Sequence, residues 1–156
     1  NTWEFLQYVQ PSTPLAGQKF GWSVSITDDN LIVIGTNSTG ETNSSSFTSG
    51  NAYIFEKDIS GSFNQIQTIN QSGINFGQSV FAITNNIFVS NTTASVSNGV
   101  SSITSGAVAV FNKSSGTWVQ TDTITIPNGD ISVSDQLGNS IDSNGKFIAV
   151  SATNRS

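Results

Sequence analysis

Few side chains in this 156-residue chain can do chemistry. His and Cys are absent, which removes the Ser-His-Asp constellation, imidazole ligation and a thiolate nucleophile. Carboxylates remain: Asp130 and Asp135 share one linker, and Asp28 and Asp29 share one turn. A glycosidase holds two carboxyls about 5–10 Å apart in a cleft, whereas both of these stretches read as solvated loops. No catalytic, metal-binding or cofactor-binding residue is therefore assigned, and the chain is expected not to be an enzyme. The other candidate chemistry is modification. Asn37, Asn43, Asn70, Asn91, Asn112 and Asn154 each satisfy Asn-x-Ser/Thr, the acceptor pattern for N-linked sugar. Chance alone yields about five such sites at this composition, so their placement says more than their number.

The elements that would position these residues follow from a pattern that occurs three times. It reads Phe20-Gly21-Trp22-Ser23-Val24, Phe76-Gly77-Gln78-Ser79-Val80 and Leu137-Gly138-Asn139-Ser140-Ile141. In each copy an apolar run is aligned 11 residues on, at Leu31, Ile87 and Ile148. Within a repeat, 20–26 alternates apolar and polar residues as a half-buried strand does. The run from Leu31 to Ile34 reads as a strand buried on both faces. A long Ser/Thr/Asn loop follows, then a third strand at 52–55, matched by 108–111. A polar fourth strand at 63–69, matched by 118–126, has the composition of an exposed edge. Residues 3–10 read as a lone fourth strand, because Trp3 stands where Phe63 and Trp118 stand.

Four short antiparallel strands per 50–60 residues, the last one polar, describe a β-propeller blade. The expected fold is all-β, a partial propeller of two full and two part blades with about 11 strands. Residues 1–19 form the last strand of a preceding blade plus a linker, 20–75 one blade, 76–136 a second, and 137–156 the first two strands of another. A β-sandwich with coincidental repeats is the alternative.

At these residues the chain resembles the FG-GAP repeat family, whose blades build integrin alpha-subunit propellers. The Phe-Gly halves match in Phe20, Gly21, Phe76, Gly77, Leu137 and Gly138. The Gly-Ala-Pro halves are degenerate, as Gly35-Thr36-Asn37, Asn91-Thr92-Thr93 and Ala152-Thr153-Asn154. The resemblance implies calcium loops between the first and second strands. The turns present, 27–30, 84–86 and 142–145, are too short and too poor in carboxylate for that, and read as hairpin turns. The resemblance also implies that a ligand contacts the long loops, 36–49 and 92–105.

Composition bears on location and partners. Charged residues are 10% of the chain, net charge is −5, and Ser, Thr and Asn number 60. The five scattered cations form no basic stripe, so neither nucleic acid nor membrane insertion is expected. Met is absent, so the first residue is not an initiator and an upstream segment is expected to have been removed or left out. Asn37, Asn43, Asn91 and Asn154 fall at or just after a second strand. Asn70 falls in the link to the next blade, and Asn112 in the opposite hairpin. Sugars on the first five would coat one face, although Asn91 stands close enough to its strand to be sterically blocked. The first functional reading is a non-catalytic extracellular or cell-surface module, structural or adhesive, in a surface or appendage glycoprotein. Its partners would be proteins or further copies or blades of the same protein. The alternatives are a subunit of a self-assembling fibre joined through open strand edges, and a carbohydrate-binding or glycan-processing propeller.

Overall fold

The computed structural model describes residues 2–14, 17–37, 49–72, 75–97, 99–127 and 130–154. Among them are twelve strands and no helix: β1 (Ser23–Ile26), β2 (Leu31–Gly35), β3 (Ser49–Lys57), β4 (Phe63–Ser72), β5 (Phe76–Ile83), β6 (Asn86–Asn91), β7 (Ser95–Ser97), β8 (Ser102–Thr104), β9 (Ala107–Ser114), β10 (Thr117–Ile124), β11 (Leu137–Ser143) and β12 (Ile148–Ala152). They form two four-stranded antiparallel sheets, ordered β1-β2-β3-β4 and β10-β9-β6-β5, and the two-stranded pairs β11-β12 and β7-β8. These are the sheets of β-propeller blades, two complete and a third begun.

The blades stack face to face because every inner strand is apolar on both sides. Leu31, Val33, Ala52, Ile54 and Ile69 of the first blade meet Phe76, Val80, Ala82, Ile87, Val89, Ala109, Phe111 and Trp118 of the second in one buried core. The opposite face of the second blade, with Phe88, Val108 and Val110, packs on Ile141 and its partly buried neighbours Ile148 and Val150. Each sheet is thus the filling between two cores, and so β2, β3, β6 and β9 read as near-continuous apolar runs. The polar fourth strands β4 and β10 close their sheets at one edge.

Several expectations need correction. Residues 3–10 form no strand. A strand exists by its ladder, and among the described residues no strand pairs with this segment. It is held by Gln7, whose Nε2 donates to the Phe63 carbonyl at 2.8 Å while its Oε1 accepts from the Phe63 N–H at 2.8 Å. The first strand of the first repeat begins at Ser23 and not at Phe20, because its ladder with β2 starts at the Ser23–Gly35 pair, whereas Phe76 and Leu137 still pair with Asn91 and Ala152. The fourth strands run Phe63–Ser72 and Thr117–Ile124. The stretch 92–105 carries the hairpin β7-β8 instead of being loop throughout.

The third-strand equivalence holds, whereas the 11-residue alignment slips by one in the first blade. There Ile32 pairs Phe55 and Ile26, as Ile87 pairs Phe111 and Ala82. Ile32, not Leu31, is therefore the counterpart of Ile87 and Ile148. The turn 27–30 is longer than 84–85 and absorbs the difference, with Asn30 at φ 66° and Thr27 Oγ1 accepting from the Leu31 N–H at 3.1 Å. A one-residue slip turns every side chain of a strand over, so Leu31 and Val33 face the following blade while Ile87 and Val89 face the preceding one.

Candidate functional site

The carboxylates singled out in the sequence do different structural jobs. Asp28 and Asp29 are exposed in the β1-β2 turn, and the Asp29 carboxylate accepts from Thr27 Oγ1. Asp130 is exposed. Asp135, expected in a solvated loop, is instead buried, with Oδ2 accepting from the Ser132 N–H at 2.7 Å. Its counterpart before the first motif is Gln18, also buried, whose Oε1 accepts from the Tyr53 hydroxyl at 2.7 Å; burial raises the Tyr53 pKa. Lys19 and Gln136, the next residues in the two linkers, both adopt positive φ. The linkers are therefore built alike. Among the described residues no group of three or more Asp or Glu could hold a metal ion. A cavity between the blades is lined by Asp29, Glu56, Lys57, Lys113 and Trp118, and its Glu56 and Lys113 are spent on an ion pair across the seam.

What recurs is the seam itself. Gly77 and Gly138 share φ of 87° and 98°. A Cβ on Gly77 would lie 2.5 Å from the Asn51 carbonyl oxygen and 2.9 Å from the Thr36 nitrogen. On Gly138 it would lie 2.6 Å from Ser90 Cβ and 3.4 Å from the Ala107 oxygen. Asn51 and Ala107 hold the same place in their blades, as do Gly35 and Ser90. The motif glycine is thus the point where one blade's first strand lies on the backbone of the blade before it, and a side chain is excluded twice, by space and by φ. Phe76 and Leu137, next to it, are buried in the same seams. The motif Ser contributes too: Ser23 Oγ donates to the Gly77 carbonyl at 2.8 Å, from one motif to the next. Ser79 N–H donates to Ser90 Oγ at 2.8 Å and Ser140 N–H to Ser151 Oγ at 2.9 Å, the same cap in two blades.

Residues 3–55 match the family model described as the FG-GAP repeat. The chain carries an FG-GAP repeat. No curated protein matches it. The matched segment ends at Phe55; beyond it Gly77 and Gly138 repeat the positive φ of Gly21.

A second recurring device lies at the rim of the blades, and the sequence reading missed it. Gln67 Nε2 donates to the Trp118 carbonyl at 2.8 Å and its Oε1 accepts from the Trp118 N–H at 2.8 Å. This repeats the grip of Gln7 on Phe63. In both cases a side-chain amide imitates a β-ladder partner: Gln67 ties β4 to β10, and Gln7 ties the N-terminal segment to β4. The signal was available: each Gln stands four residues after an aromatic, Trp3 or Phe63. The aromatic is also covered by a Lys from its own third strand. Lys57 Nζ lies 5.9 Å from the Phe63 ring centroid and Lys113 Nζ 6.0 Å from that of Trp118.

The Asn-x-Ser/Thr sites separate by environment. Asn37 is 2% exposed and donates from Nδ2 to Gln78 Oε1. Asn91 is 7% exposed, donates from Nδ2 to the Ser72 carbonyl at 2.9 Å, and accepts from Thr93. Both attachment nitrogens are occupied. Asn70 lies within β4 and not in the link after it, with an exposed side chain. Asn112 lies within β9, half-buried, its Oδ1 accepting from Thr121 Oγ1 at 2.6 Å. Asn154 is exposed, and Asn43 lies outside the described residues.

Proposed function

We propose that this chain is a non-catalytic, extracellular structural or adhesive module, a stack of FG-GAP blades that offers surfaces to protein partners. One observation carries the reading: the recurring groups are spent on building the stack, Gly77, Gly138 and the Gln67 grip joining neighbouring blades and the Ser caps joining the first two strands within a blade. The carboxylates that might have served catalysis are instead exposed in a turn or a loop, or bonded inside a linker. Low charge, a hydroxyl- and amide-wetted surface and the β7-β8 hairpin with its exposed Val100 support a partner surface outside the cell.

Two measurements test it. Cell attachment to the immobilised chain is expected, and replacing residues 95–104 with a short Gly-Ser turn is expected to abolish attachment while leaving the melting curve intact. An intact chain that captures no cells ends the adhesive reading. Secretory expression is expected to yield a chain whose mass falls on enzymatic deglycosylation, with sugar on the exposed Asn70 and Asn154 and none on Asn37 or Asn91. An unchanged mass removes the glycoprotein part.

A further inference from the structure

The turn between β11 and β12 holds an asparagine in a reactive setting. Asn144 is exposed and is followed by Gly145, which has φ 84° and where an added Cβ would meet nothing within 4 Å. Among the described residues no other Asn precedes a Gly. The Asn144 side chain folds back over the turn. Its Oδ1 accepts from the Lys146 N–H at 3.0 Å and from the Phe147 N–H at 2.9 Å. The Gly145 N–H donates to Ser143 Oγ at 3.1 Å, and Ser143 Oγ donates to the Phe147 carbonyl at 2.8 Å. All of these groups lie within 143–147, so the arrangement is local to the hairpin.

Two parts of it suit attack on the Asn144 amide. The Lys146 and Phe147 N–H groups stand at Oδ1, where negative charge collects once Cγ becomes tetrahedral, at the distances an oxyanion donor needs. Ser143 Oγ already accepts the proton that the Gly145 nitrogen must lose to become a nucleophile. Gly145 also has no side chain to obstruct the approach. The matching turn of the second blade lacks this, because Asn85 is followed by Asn86.

We propose that Asn144 is a self-modification site, converting through a cyclic imide to aspartate and isoaspartate without an enzyme. The Gly145 amide gives its proton to hydroxide, and its nitrogen bonds to Asn144 Cγ. The π pair of the Cγ–Oδ1 bond moves onto Oδ1, between the two N–H groups. Collapse of this intermediate breaks the Cγ–Nδ2 bond, and Nδ2 takes a proton from water and leaves as ammonia. A second water opens the imide. Opening at Cγ gives aspartate; opening at the main-chain carbonyl carbon gives isoaspartate, with an extra methylene in the backbone. Either product adds one negative charge to a chain of net charge −5. The aspartate keeps both N–H partners and accepts from them more strongly than the amide did.

The folded whole chain, held in mildly alkaline buffer, sampled over days and mapped peptide by peptide, tests this. The peptide carrying Asn144 is expected to gain about 1 Da, in aspartate and isoaspartate forms. Ser143→Ala is expected to slow that gain at least about threefold, and Ser143→Thr, which keeps the hydroxyl, to react like the parent. In concentrated urea the turn is lost, so Ser143→Ala and the parent should react alike. The proposal is overturned by an Asn144 that stays an amide while the other Asn-Gly pairs of the sequence, 98–99 and 128–129, convert. A folded Ser143→Ala variant as fast as the parent overturns it too, as does a slowing that persists in urea.

Discussion

A Gly in the middle of a strand ordinarily weakens it; at the motif position it is the only residue that fits. Gly21, Gly77 and Gly138 share one backbone conformation and differ in what lies beside them. That difference separates two costs. Gly21→Ala meets open space and carries only the left-handed backbone penalty, about 1–2 kcal/mol. Gly77→Ala carries that penalty and also drives a methyl against the Asn51 carbonyl and the Thr36 nitrogen, so its loss should be clearly larger; Gly138→Ala should follow Gly77→Ala. Urea unfolding of the three variants gives the ranking, and equal losses at Gly21 and Gly77 would refute the seam as the reason for the glycine.

Among the elements, the fourth strands are the ones whose composition and position disagree most. They are polar because one edge faces solvent, and yet each is fixed to its neighbour through a Gln side chain on a main-chain N–H and C=O. Replacing Gln67 with Leu removes two hydrogen bonds and leaves the Trp118 backbone groups to find water. The expected loss is about 1–3 kcal/mol. Gln67→Glu keeps the acceptor for the Trp118 N–H and sets a carboxylate oxygen against the Trp118 carbonyl, so it should not restore the parent's stability. Chemical denaturation followed by Trp fluorescence reads both. A Leu variant as stable as the parent would show that the grip is decorative. The same position on the last fourth strand is Asp122, whose Oδ1 accepts from its own neighbour Thr123 at 2.7 Å. A carboxylate cannot give the two-way grip that an amide can, so the ladder of Gln grips ends at the second blade.

Across the whole molecule, the pH response should be simple. Without His, no side chain has an ordinary pKa between about pH 5 and 8. Acid acts locally through Asp58 in the β3-β4 turn. The Ser60 hydroxyl, then the Ser62 N–H, with further help from the Ser60 N–H and the Asn64 amide, holds its pKa down to about 2. The folded value lies below the unfolded one, so the contribution is whole above about pH 4 and disappears as pH falls through about 2. NMR titration of the Asp58 carboxyl should show the low midpoint, and Asp58→Asn should flatten the acid limb of turn stability. A midpoint at the ordinary carboxylate value would contradict the turn geometry.

The repeat spacing and the apolar runs were enough to state an all-β chain of stacked four-stranded units, because blade cores demand the same residue types at the same places each time. The hairpin turns and the polar edge strands were legible for the same reason. Three things were decided only in three dimensions. The extra residue in the 27–30 turn moved β2 by one pairing step, which no spacing count reveals when Leu31 and Ile32 are both apolar. Asn37 and Asp135 looked like loop residues, yet lie buried, Asn37 bonded to Gln78 of the next blade and Asp135 to Ser132 of its own linker. Residues 3–10 have the pattern of a strand and form none, since a ladder requires a partner as well as a sequence. Local patterning determines which residues face a seam; whether a seam is filled depends on the surface that arrives against it.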